Sequence, residues 1–76
     1  MVSRMQYIAY FVNNGDSVRG ILRNSNIDIA FFCPKKGYLV FYHDNNALPF
    51  LIGILRRAKG FKHVETSKGF DENLNF

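Results

Sequence analysis

Five short breakers cut this 76-residue chain into six apolar segments, and their spacing leaves room for little but a small mixed α and β domain. They are Asn13-Asn14-Gly15, Asn24-Ser25-Asn26, Pro34-Lys35-Lys36-Gly37, Asp44-Asn45-Asn46 and Gly60. These residue types accept bent or left-handed backbone, or interrupt regular hydrogen bonding, so each marks an end between elements.

The segments between them differ in kind. Gln6 to Val12 reads as a strand because it is rich in aromatic and β-branched residues. Val18, Ile21 and Leu22 fall at helical spacing with Arg19 and Arg23 turned outward, so a short helix follows, with Asp16 or Ser17 expected to cap it. Ile27 to Cys33 and Tyr38 to Tyr42 are two strands joined at Lys35-Lys36-Gly37, the clearest hairpin in the chain. A second helix, with caps offered by Asp44, Asn45 and Asn46 and with Pro49 in its first turn, is expected to run to about Lys59. Gly60 is its left-handed stop, and Lys62 to Thr66 is a fourth strand.

The order strand–helix–strand–strand–helix–strand predicts an α+β fold of the ferredoxin-like kind: a four-stranded antiparallel sheet, its first and third strands central, with two helices on one face. Residues 1–67 form this single domain, and 68–76 are expected to be a partly ordered tail. A composition 47% hydrophobic and only 21% charged belongs to globular rather than disordered chains.

Such a fold leaves one sheet face without helices. Strand side chains alternate between faces. Ile8, Tyr10 and Val12, Leu39 and Phe41, and Ile27, Ile29 and Phe31 are assigned to the helices, although the reverse parity would equally leave several rings uncovered. The uncovered set is then Tyr7, Ala9, Phe11, Phe32, Tyr38, Val40 and Tyr42. Eight Phe and four Tyr are many for so small a core, and a contiguous uncovered apolar patch marks an interface.

Two partners are weighed for that face. A second copy or another protein would bury Phe11, Phe32, Tyr38, Val40 and Tyr42. Two-fold self-association is the commonest soluble oligomer, and it would run through this face or through the second helix, whose apolar arc is wider than one sheet needs. Alternatively, Phe11, Tyr38 and Tyr42 would stack on bases of single-stranded RNA or DNA while Lys35 and Lys36 meet phosphates. Lys36 to Tyr42 begins like the longer motif of RNA-recognition domains, but Leu39 and Val40 replace its small residue and its second ring. The net charge of +4 suits acidic partners in a general way. A third arrangement folds the tail back, with Phe70, Leu74 and Phe76 as a lid.

Catalytic and metal chemistry find no residues at workable spacing. His43, His63 and Cys33 supply no paired ligand pattern, a Cys33–His catalytic pair has no orienting third group, and Asn13-Asn14-Gly15-Asp16 is no phosphate loop. No enzyme, cofactor, metal or small-molecule substrate is expected. A single cysteine suits a reducing compartment. No apolar run approaches a membrane span and the first residues lack a signal-peptide core, so a cytoplasmic protein without membrane partners is expected.

Four stretches resemble the YlbG family of small proteins from Gram-positive bacteria. Ile8-Ala9-Tyr10-Phe11 is similar to that family's Ile-Val-Tyr-Leu, and Ile21-Leu22-Arg23 with Asn26-Ile27 to its Leu-Arg and Asn-Ile stretch. Tyr38 to Tyr42 is similar to its Tyr-x-Val-x-Tyr strand, and Phe61 to Ser67 to its Phe-Val-Lys-Lys-Ile-Glu-x-Ser ending. Ser25 stands where the family tends to have Gly, and the longer basic tail common there is missing. The resemblance implies a cytoplasmic protein with no assigned activity and supplies no site residue.

Overall fold

A computed structural model, which describes residues 4–67, places the six segments in the expected order. They are β1 (Arg4–Phe11), α1 (Asp16–Asn24), β2 (Ile29–Cys33), β3 (Tyr38–Asp44), α2 (Leu48–Leu55) and β4 (Phe61–Thr66). The strands lie in the order β2-β3-β1-β4, every neighbouring pair antiparallel, with β1 and β3 in the middle. This is the ferredoxin-like arrangement.

Both helices pack on one face. Val18 and Leu22 of α1 and Leu51 and Leu55 of α2 share a single buried cluster with Tyr7, Ala9, Phe11, Leu39, Phe41 and Val64 of the sheet. Burying a large apolar side chain stabilises by roughly 1.5–3 kcal/mol, so this one layer holds the domain together. Two turns grip the end of β1 from either side. Phe11 N–H donates to the Gly37 carbonyl at 2.9 Å and Val12 N–H to the Gly60 carbonyl at 2.8 Å. Both glycines have positive φ, 79° and 86°, and a Cβ there would lie 2.7 Å from the Phe11 oxygen and 2.9 Å from the Val12 oxygen.

The helix ends are built differently from the expectation. Neither Asp16 nor Ser17 caps α1. The cap position is Gly15, and the Asn14 side chain accepts the Asp16 N–H at 3.1 Å. Asp16 lies in the first turn instead, where it suits the helix dipole and pairs with Arg19 at 3.5 Å. At the other end Asn26 takes φ 62°, with Asn26 N–H bonded to the Arg23 carbonyl and Ile27 N–H to the Leu22 carbonyl. That pattern is a Schellman motif, and Ile27 and Leu22 supply its hydrophobic contact, both buried. Ile27 is thereby used to end the helix, which is why β2 begins at Ile29.

No Asp or Asn side chain caps α2 either. The buried phenol of Tyr7 takes that place: its hydroxyl donates to the Asp44 carbonyl at 2.6 Å and accepts the Ala47 N–H at 3.3 Å. Pro49 sits in the first turn as expected, but α2 stops at Leu55 rather than Lys59. Turns over residues 56–60 replace its last part, with Ala58 N–H returning to the Leu55 carbonyl at 2.8 Å so that Ala58 is buried under the chain.

Candidate functional site

The face opposite the helices is built by alternation and register. Tyr10 lies directly across from Tyr38, Ile8 from Val40 and Gln6 from Tyr42 on the two central strands. On the edges Phe31 pairs with Val40, Cys33 with Tyr38, Glu65 with Ile8 and His63 with Tyr10. Directly opposed residues point to the same side, so these residues make up the open face.

Tyr38, Val40 and Tyr42 lie on the open face, where the sequence placed them. Phe11 and Phe32 do not, and here the expectation is corrected. Phe11 is 2% exposed within the core, and Phe32 packs against that core with its ring stacked on Phe11 at 5.8 Å. Arg19 covers the other side of Phe32, its guanidinium carbon 4.6 Å from the ring centroid. Neither ring is available to a base or to a partner. Tyr7 and Ala9 point inward with Phe11, while Ile8 and Tyr10 point outward, the reverse of the assignment. Lys35 and Lys36 are exposed in the hairpin turn, outside the strands that carry the face.

Two physical causes account for the reversal. Every position of β1 from Tyr7 to Phe11 is apolar or aromatic, so alternation carries no contrast there. The register of β2 shifts between Ile29 and Phe31, leaving Ala30 as an extra residue. Such a bulge breaks the two-residue period, so Ile29 faces the core while Phe31, 52% exposed, faces out.

The sequence reading therefore missed Tyr10, Phe31 and His63, which complete the most distinctive feature of the face. Phe31, Tyr38, Tyr10 and His63 form an unbroken row of rings across all four strands, with successive centroids 5.9, 6.4 and 4.7 Å apart. Gln6 is in phase with Ile8 and Tyr10 but is itself 4% exposed, so its polarity does not mark the solvent side.

The rings are committed to one another. Tyr10 and His63 stack at an interplanar angle of 29°, so each covers a face of the other. The Tyr10 hydroxyl donates to Glu65 Oε2 at 3.3 Å, and His63 Nε2 lies 3.3 Å from Glu65 Oε1. Partial burial, then the neighbouring Glu65 charge and its hydrogen bond, push the Tyr10 phenol above its ordinary value near 10. Val40, at the centre of the face, is 2% exposed although no helix lies over it. At the other end Gln6 Nε2 donates to the Tyr42 hydroxyl at 2.8 Å and Arg4 Nη2 to the Tyr42 carbonyl at 3.2 Å. Arg4 and Asp44 are opposed in register there, which leaves Glu65, beside His63, as the remaining carboxylate, so the face carries little net charge.

Among the described residues no three His, Cys, Asp or Glu side chains are gathered so as to hold a metal ion. No helix among them is long and apolar enough to cross a membrane. The lid expected of Phe70, Leu74 and Phe76 lies outside the described residues. Compared with protein-family models, with curated proteins and with solved structures, the chain has no match.

Proposed function

We propose that this protein acts by binding, and that a second copy of the chain sits on the open face of its sheet. The observation that carries the reading is the row Phe31, Tyr38, Tyr10 and His63 across all four strands. Because the Tyr10 and His63 rings cover each other, the row offers edges and hydroxyls more than free π-faces. Edges suit interdigitation with another packed surface, whereas base stacking needs an open face. The near neutrality of the patch also matters. A surface apposed to itself meets its own charges, and this one brings little like-charge repulsion. A cytoplasmic setting, consistent with a lone Cys33, and kinship with the YlbG-like family belong to the same reading, and no catalysis does.

Light scattering over a concentration series tests it. The expected result is a dimer that Tyr38→Ala with Tyr42→Ala weakens and Lys35→Glu with Lys36→Glu leaves unchanged. A strict monomer at every concentration would end the reading.

One observation favours single-stranded nucleic acid instead: Lys35 and Lys36 lie in the turn that leads directly into Tyr38. On that alternative the lysine reversal abolishes RNA binding, and Tyr38 and Tyr42, not Phe11, carry the stacking.

A further inference from the structure

A second apolar surface lies on the opposite side of the molecule. Leu51 and Leu55 are the buried stripe of α2, but Phe50, with one ring face stacked on His43 at 5.9 Å, is 52% exposed and Ile52 44% exposed on the helix flanks, with Pro49 and Gly53 exposed between them. A Cβ added at Gly53 would meet nothing within 4 Å, so the outer side of the helix is open. A helix apolar on its outer as well as its inner side has more apolar surface than one sheet can cover.

The charged residues that follow this helix in the chain have one sign. From Asn45 to Val64 the chain holds no acidic residue, while Arg56, Arg57 and Lys59 follow the helix directly and are exposed. Arg57 lines a groove between the helices with Ile21, Asn24, Ser25, Gly53 and Ile54, so α1 contributes apolar surface and no carboxylate at this point. Asp16 lies in the first turn of α1, where Arg19 pairs with it.

Cations beside exposed Phe and Ile fit one kind of surface, apolar inside and anionic at its boundary. We propose that the outer side of α2 docks on an anionic lipid membrane, Phe50 and Ile52 entering the acyl boundary while Arg56, Arg57 and Lys59 meet headgroup phosphates. This is association with the surface and involves no span, and it departs from the expectation of no membrane partner. A nucleic acid would satisfy the cations but leave Phe50 and Ile52 in water, which is why a membrane is favoured over it. The surface is separate from the open sheet face, so this inference stands independently of the self-association reading.

Co-sedimentation of the full chain with vesicles tests it, comparing phosphatidylcholine alone with equal parts phosphatidylcholine and phosphatidylglycerol at low salt. The expected result is binding to the mixed vesicles only, weakened about 25-fold by Arg56→Gln with Arg57→Gln, since each cation near an anionic leaflet contributes about fivefold. Phe50→Ser with Ile52→Ser should abolish it, and Gly53→Glu, at a position with space for a side chain, should weaken it without touching the core. Absence of binding to the mixed vesicles overturns the proposal. So does binding that ignores both the Phe50/Ile52 change and Gly53→Glu, which would mean adhesion by charge alone. Displacement of bound protein by equimolar single-stranded RNA would overturn it in favour of a nucleic acid.

Discussion

Tyr7 donates its hydroxyl to the backbone carbonyl of Asp44 at 2.6 Å, from a side chain otherwise buried against Phe41. The same oxygen accepts the Ala47 N–H, so a core residue of β1 ties the end of β3 to the start of α2. The chain thereby replaces a local cap, drawn from Asp44, Asn45 or Asn46, with a long-range one. Tyr7→Phe keeps the ring and removes only this link. It should cost about 1–2 kcal/mol, because a part-buried carbonyl and N–H lose their partner together. Urea unfolding should show a lower midpoint at unchanged slope. An unchanged midpoint would mean that water replaces the hydroxyl fully.

The open face has its own titration. The Tyr10 pKa is raised in the folded state, first by partial burial, then by Glu65 through its charge and hydrogen bond, and last by Tyr38. A raised folded pKa means that the native protein holds this proton more tightly than the unfolded chain does. The associated stability is fully present below about pH 10, the ordinary tyrosine value, and is lost as pH rises through the higher folded value. Glu65→Gln removes the charge but not the burial. Tyrosinate absorbance should then show one phenol titrating at lower pH than in the parent protein, and the alkaline loss of stability should shrink. If the titration curves superimpose, Glu65 has no hold on Tyr10.

Glycines split by sign. Gly53 lies on the outer side of α2 with space for a side chain, so Gly53→Ala should stabilise by up to about 1 kcal/mol through the lower helix cost of alanine. Gly37 has φ 79° and its added Cβ would press on the Phe11 oxygen at 2.7 Å. Gly37→Ala should destabilise by about 1–3 kcal/mol, the usual cost of a strained backbone position. Thermal midpoints of the two variants should move in opposite directions. Two shifts of the same sign would contradict the turn geometry.

The fold was legible because its punctuation is local. Asn13-Asn14-Gly15, Lys35-Lys36-Gly37 and Gly60 are readable without any partner, and they fix the element order that in turn makes β1 and β3 central. What could not be read locally depends on pairing. Alternation read from sequence sends Tyr38 outward and Tyr10 inward, yet the register places them opposite one another on the same face. Nothing inside Tyr7 to Phe11 distinguishes the two phases, and the bulge at Ala30 cannot be seen without β3 beside it. The helix caps failed for the same reason in part. Several Asn and Asp side chains were available, but the Tyr7 hydroxyl reached the start of α2 from across the fold.

This difference between phases can be tested on two phenylalanines. Phe11 and Phe31 are chemically identical, and the sequence assigned the first to the open face and the second to the core. The structure has them the other way round, 2% and 52% exposed. Phe11→Ala should cost about 3–5 kcal/mol by opening a cavity against Phe32 and beneath Gly15, a large share of what a domain of this size commands. Phe31→Ser should change stability by less than about 1 kcal/mol, as exposed positions generally do. It should instead weaken self-association, because it removes one end of the ring row. Urea unfolding and light scattering on the same two variants separate the effects. If Phe31→Ser were the destabilising change and Phe11→Ala the neutral one, the phase of both strands as described would be wrong.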